Sequence, residues 1–157
     1  MCELMARYFE DFRVDQEFES PNRTITDADQ MNYAGLSGNF ASIHVDEEMM
    51  KESQFGGRLV YGFLIMSVME GLRMQSDLGR DLEENVVAFY GVDDVRFLTP
   101  VNVGDTITNN MTIAEKEERD EETGLLSIKE EGVDQNGETA VVMTTKHIVK
   151  RRPPEET

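Results

Sequence analysis

The run LVYGFLIMSVMEGLRMQS, residues 59–76, is the longest apolar stretch of the chain, and its reading decides the fold. About 18 residues is the lower limit for a membrane span, but Tyr61, Ser67, Glu70, Arg73 and two glycines interrupt this one. A buried central helix tolerates those residues far better than a bilayer does. At 1.5 Å per residue such a helix is about 25 Å long. Beyond Gly79 the texture changes. Residues 86–101, 105–118, 125–135 and 138–150 alternate apolar and polar side chains, the period of strands with one buried face. Gly104-Asp105, Glu122-Thr123-Gly124 and Asn136-Gly137 separate them, the last a strong hairpin signal. The spacing predicts an antiparallel sheet with the long helix packed across it.

Upstream, residues 8–26 mix aromatic and β-branched residues around a turn signal at Ser20, Pro21 and Asn22, which predicts an entry segment and a short first strand. Thr26 is placed to cap a helix with Asp27 and Asp29 in its first turn, ending near Gly35 to Gly38. The loop SGNFASIHVD (37–46) leads to a second short helix around Glu47 to Glu52, broken by Gly56 and Gly57. The expected organisation is an N-terminal extension over 1–7, one domain over 8–150 and a disordered acidic, proline-containing tail over 151–157. The fold class is α+β, a curled antiparallel sheet wrapped around one central helix. Its open edge strands predict a homodimer or a dimer of dimers.

The charge narrows the function. With 32 Asp plus Glu against 15 Lys plus Arg, the formal charge is -17. Such a surface repels phosphate backbones and anionic membranes, so nucleic-acid binding and membrane association are disfavoured. The acids are dispersed and Lys is scarce, the pattern of a halophilic protein; an acidic mesophilic protein is the alternative. The single cysteine, Cys2, excludes an intramolecular disulfide and a CxxC metal site, and two histidines make structural zinc unexpected. The N-terminus lacks the basic-then-apolar order of a signal peptide, so the expected location is cytoplasmic.

One stretch joins a group that titrates near neutrality to a loop of small residues: Ser37 to Asp46, with His44. His44 is read either as a structural histidine or as an acid–base group. Asp46, Glu47, Asp93 and Asp94 are read as solvated acids, with a proton-transfer role for Asp46 as the alternative. Gly56, Gly57 and Gly62 allow tight turns and close packing. Met49, Met50, Met66, Met69 and Met74 supply adaptable apolar surface near the helix, as core or as the lining of an acyl tunnel.

These residues carry a resemblance. Ser37, Gly38, Ile43, His44 and Val45-Asp46-Glu47-Glu48, then Phe55-Gly56-Gly57-Arg58-Leu59-Val60-Tyr61-Gly62, resemble the motifs of the MaoC-like acyl dehydratases, or (R)-specific enoyl-CoA hydratases. Tyr90-Gly91, Val95-Arg96-Phe97, Pro100-Val101 and Gly104-Asp105-Thr106 resemble the family's strand signature. The resemblance implies a hot-dog fold, a CoA thioester substrate and no cofactor or metal. It implies a catalytic His44, with Asn39 at the position of the family's Asp, five residues earlier. It implies that Gly62, opening the helix, receives the thioester carbonyl, and that Tyr61, Gly57 and Ser42 border the substrate. Tyr61 stands where the family has His, and Ala41-Ser42 where it has Asn-Pro. Arg58 and Arg96 either face CoA phosphates or pair with acids. The function implied is hydration of trans-2-enoyl thioesters or the reverse dehydration. The alternatives are a weakened hot-dog subunit that binds acyl-CoA or supports an active partner, because Asn39 replaces the Asp, and an acyl-CoA thioesterase.

Overall fold

The computed structural model describes residues 7–154; Cys2, most of the expected extension and the end of the expected tail lie outside the described residues. After a 3-10 turn at Phe9–Asp11 come β1 (Glu17–Glu19) and β2 (Arg23–Thr24). The helices follow: α1 (Asp27–Ser37), α2 (Ser42–Val45), α3 (Glu47–Lys51), α4 (Gly62–Gln75) and α5 (Asp77–Leu82). Four long strands complete the domain: β3 (Val86–Phe97), β4 (Thr106–Glu118), β5 (Thr123–Val133) and β6 (Thr139–Lys150). The sheet order is β1-β4-β5-β6-β3, antiparallel throughout, with β2 pairing the first residues of β4. This is the α+β hot-dog arrangement the sequence implies.

The core forms because α4 presents Leu64, Ile65, Val68, Met69 and Leu72 on one face, against Ile107, Val141 and Met143 of the sheet. Each fully buried side chain of this kind contributes about 1.5–3 kcal/mol. A second cluster joins Phe9 and Phe12, α5 through Leu78 and Leu82, and the far ends of β4, β5 and β6. Among the described residues no helix is long and apolar enough to cross a membrane.

The structure differs from the sequence expectation in four places. The central helix begins at Gly62 rather than Leu59: Leu59 bridges Asn102, and Val60 N–H donates to Val101 O at 2.8 Å, so both are held extended by a distant segment. The residues before β3 form α5, capped by Ser76. Gly79 lies inside it because a Cβ there would stand 2.4 Å from the Arg73 carbonyl. The 37–46 loop contains one helical turn, α2, and the single expected first strand is two short ones.

Candidate active site

The site is assembled where α1 ends and α4 begins. Thr26 caps α1 through a reciprocal pair with Asp29, and Gly38 ends it in the left-handed conformation at φ 72°. Two side chains then steer the chain. Ser37 Oγ accepts from Asn39 N–H at 3.2 Å, and Asn39 Oδ1 accepts from Ala41 N–H at 3.1 Å. The single turn of α2 follows and carries His44.

His44 Nδ1 lies 2.8 Å from the main-chain oxygen of Leu59. A carbonyl only accepts, so Nδ1 carries the proton and, in the neutral ring, Nε2 carries the lone pair. The ring stacks on Tyr61 with centroids 3.9 Å apart at 25°. Tyr61 is 3% exposed, packs against Tyr33, and donates its hydroxyl to the main-chain oxygen of Asn39. Burial, and secondly Tyr33, hold its phenol above the ordinary range, so it remains a donor. The next residue, Gly62, opens α4. Its first-turn N–H groups have no partner within the helix and form the positive end of its dipole. A Cβ on Gly62 would meet the tip of the half-exposed Phe97 ring at 2.8 Å, so glycine lets that ring lie over the start of the helix.

Of the residues the sequence singled out, His44, Tyr61 and Gly62 come together, and Asn39 joins them through its backbone. No hydrogen bond links the Asn39 and His44 side chains among the described residues, and Asn39 Oδ1 already holds the Ala41 N–H. Ser42 is exposed at the start of α2. Gly57 is buried against Asn102, whose amide a Cβ would meet at 2.9 Å; its local role is packing. Asp46 caps α3 by accepting from Met49 N–H. Arg58 pairs with Asp27 and Glu47, and Asp93 with Lys146. Exposed Arg96 donates to the neighbouring Val95 carbonyl. Met50 and Met69 are core, Met66 borders a cavity, and Met49 and Met74 are exposed. Among the described residues no group of three or more His, Cys, Asp or Glu is placed to hold a metal.

Two cavities flank the start of α4. One of about 460 Å³ lies between Leu59, Gly62 and Ile65 and the loop from Phe97 to Val101. The other, about 340 Å³, runs along α4 from Phe63 past Met66 and Glu70 to Arg73, faces Phe89 and Met143, and reaches Tyr33. The second histidine, His147, is 4% exposed, and burial with the nearby Arg73 pushes its imidazole down to about 3. It is enclosed and neutral at physiological pH, whereas the His44 ring is only half-buried, beside the start of α4. Sequence reasoning missed Tyr33 and Gln30 as parts of this assembly. Their signal was helical spacing: Gln30 stands three residues before Tyr33 and four before Ala34, which is fully buried, so the three share one stripe of α1.

The model of the MaoC like domain family matches residues 11–146. Protein MaoC of Klebsiella aerogenes is 36% identical over 110 residues, covering 70% of this chain but only 31% of that protein, so the chain spans about a third of its length. The (R)-specific enoyl-CoA hydratase of Rhodospirillum rubrum is 30% identical over 114 residues, 71% of this chain and 72% of the relative. Among solved structures, the monoamine oxidase regulatory protein from Archaeoglobus fulgius superposes with a TM-score of 0.86 at 32% identity, over 94% of this chain and 97% of that one. A Mycobacterium tuberculosis protein described as a double hotdog fold gives a TM-score of 0.81 at 18% identity, over 97% and 46%. With the motif residues gathered at the head of α4 and the family match running through nearly the whole domain, the chain belongs to the MaoC-like dehydratase family.

Proposed function

We propose that this protein is an (R)-specific enoyl-CoA hydratase or 3-hydroxyacyl-CoA dehydratase, reversibly adding water to a trans-2-enoyl thioester without metal or redox cofactor. The observation that carries the reading is His44, with Nδ1–H held by Leu59 and its ring stacked on the residue before α4. In this scheme Nε2 takes a proton from water as the water oxygen bonds to C3. The C2=C3 electron pair shifts onto the thioester oxygen, where the N–H groups opening α4 stabilise the enolate. The carbonyl re-forms as C2 takes the proton back from His44, so one water is added and the imidazole ends neutral. Asn39 orients water through its amide but accepts no proton. General acid–base catalysis is worth about 10²–10⁴-fold, so the missing carboxylate lowers the rate by about that order.

A second reading, an acyl-CoA-binding subunit that supports an active partner, is favoured by one observation: Asn39 Oδ1 is engaged by its own loop. In either case the partner for the open edge strand β3, with exposed Val87, Phe89 and Tyr90, is a second copy of the chain.

Crotonyl-CoA hydration in high salt, read as loss of enoyl-thioester absorbance, tests this with the protein beside Asn39→Asp and His44→Ala. Sedimentation velocity on the same samples is expected to give a dimer. The hydratase reading predicts turnover that His44→Ala abolishes and Asn39→Asp increases. Silence of the native sequence beside an active Asn39→Asp supports the binding subunit. Silence of all three places the substrate, or the function, outside this reading.

A further inference from the structure

We propose that Gln30 is the positioning residue that holds His44 in its Nδ1–H tautomer. Gln30 lies on α1 and is fully buried. Its Nε2 donates to the main-chain oxygen of His44 at 3.0 Å and to that of Leu59 at 2.9 Å. The Leu59 oxygen is the same atom that accepts from His44 Nδ1 at 2.8 Å. One amide therefore grips both the backbone that carries the imidazole and the oxygen that orients the ring.

The chemistry leaves this amide one orientation. Both partners are carbonyl oxygens, so only the NH₂ side can face them. The opposite atom, Oε1, is buried with no partner among the described residues, an arrangement that costs stability. A methionine of similar length fills the volume without that cost. What the glutamine adds is the pair of N–H donors, and both are spent on the loop of His44 and the segment of Leu59.

These two segments lie 15 residues apart in sequence, and their other main-chain tie is Leu59 N–H to Ile43 O at 3.0 Å. The Leu59 carbonyl shares a rigid peptide plane with Val60 N–H, which Val101 O holds at 2.8 Å, so what is free to move without Gln30 is the His44 turn, whose main-chain oxygen loses its tie to that fixed carbonyl. The two neutral tautomers of an imidazole are close in energy, and the hydrogen bond made by one nitrogen decides which is present. A His44 turn that shifts carries the ring off the Leu59 oxygen, releases Nδ1 and lets the lone pair leave Nε2 for part of the population.

The test is long-range ¹H–¹⁵N correlation spectroscopy, which distinguishes Nδ1–H from Nε2–H, on the protein and on Gln30→Met and Gln30→Glu, each checked for cooperative unfolding. His44 is expected as the Nδ1–H form in the native sequence and as a tautomer mixture in both variants. The kinetic arm rests on the hydratase reading: kcat for crotonyl-CoA hydration falls roughly tenfold, the rate equivalent of one hydrogen bond, while KM stays within about twofold. A folded variant whose His44 spectrum matches the native one overturns the proposal. So does an Nε2–H ring in the native protein. If the native protein turns over no enoyl thioester, the hydratase reading fails and the spectra still decide the role of Gln30.

Discussion

Tyr61 joins three parts of the site: its ring supports His44, its hydroxyl holds the Asn39 backbone, and its chain position sets the start of α4. Tyr61→Phe separates these roles, because it keeps the stack and deletes only the hydroxyl bond. The expected cost is about 1 kcal/mol of stability, the net worth of one hydrogen bond. A fall in kcat of up to about tenfold should accompany it as the Asn39 turn loosens. Urea unfolding and crotonyl-CoA kinetics read both, and a variant equal to the parent in both would leave the hydroxyl without a role. The resemblance implied that Tyr61 borders the substrate, while the structure directs its proton to a main-chain oxygen 22 residues earlier. His44 and Asn39 could be singled out because their motif is contiguous. The partners of Tyr61 and Gln30 were not, because each bond joins segments that only the folded chain brings together.

The central helix was legible as an element because its apolar face repeats with helical period, but its first turn was not. Leu59 and Val60 are as apolar as the helix and are extended only because Val101 and Asn102 pair with them. The long strands were legible from their alternation, and that alternation also placed His147 inside. On β6, Met143, Thr145, His147 and Val149 all face the interior. There His147 Nε2 lies 3.1 Å from the Thr145 hydroxyl, which bonds Glu130, the buried partner of Arg73 on α4. Burial first, and Arg73 second, lower the His147 imidazole from 6.5 to about 3. The unfolded chain takes up a proton as pH falls below about 6.5, and the folded chain refuses it until about pH 3. The contribution to stability is therefore intact above pH 6.5 and lost progressively below it, by about 1.4 kcal/mol per unit and about 5 kcal/mol in all. Many carboxylates titrate in the same range, so the comparison is with His147→Gln. Between pH 6.5 and 4.5, urea unfolding should show the parent losing stability more steeply than the variant; parallel loss would mean His147 is charged in the folded state.

At the scale of the whole molecule the controlling quantity is the excess of acid. If every Lys and Arg paired with one acid, 17 acids would remain without a cation. The fold responds by sharing cations: Arg58 serves Asp27 and Glu47, and Arg151 serves Glu10 and Glu118. Added salt weakens those pairs, but pairs this exposed are worth only about 0–1 kcal/mol each. It also screens the repulsion among the unpaired acids, which grows with net charge. The Debye length falls from about 10 Å at 0.1 M to about 3 Å at 1 M, so repulsion between exposed acids farther apart than that is largely removed. Screening of the repulsion outweighs the weakening of the pairs. Tm is therefore expected to rise with KCl from 0.1 M and to level off above about 1 M, where little repulsion remains to screen. The rise should shrink on approach to the sequence pI of about 4.4, where the net charge vanishes. Differential scanning fluorimetry over a grid of KCl and pH measures both trends. A Tm that is flat or falling with KCl at pH 7 would mark the acidic surface as one that needs no salt, and the halophilic reading would give way to that of an acidic mesophilic protein.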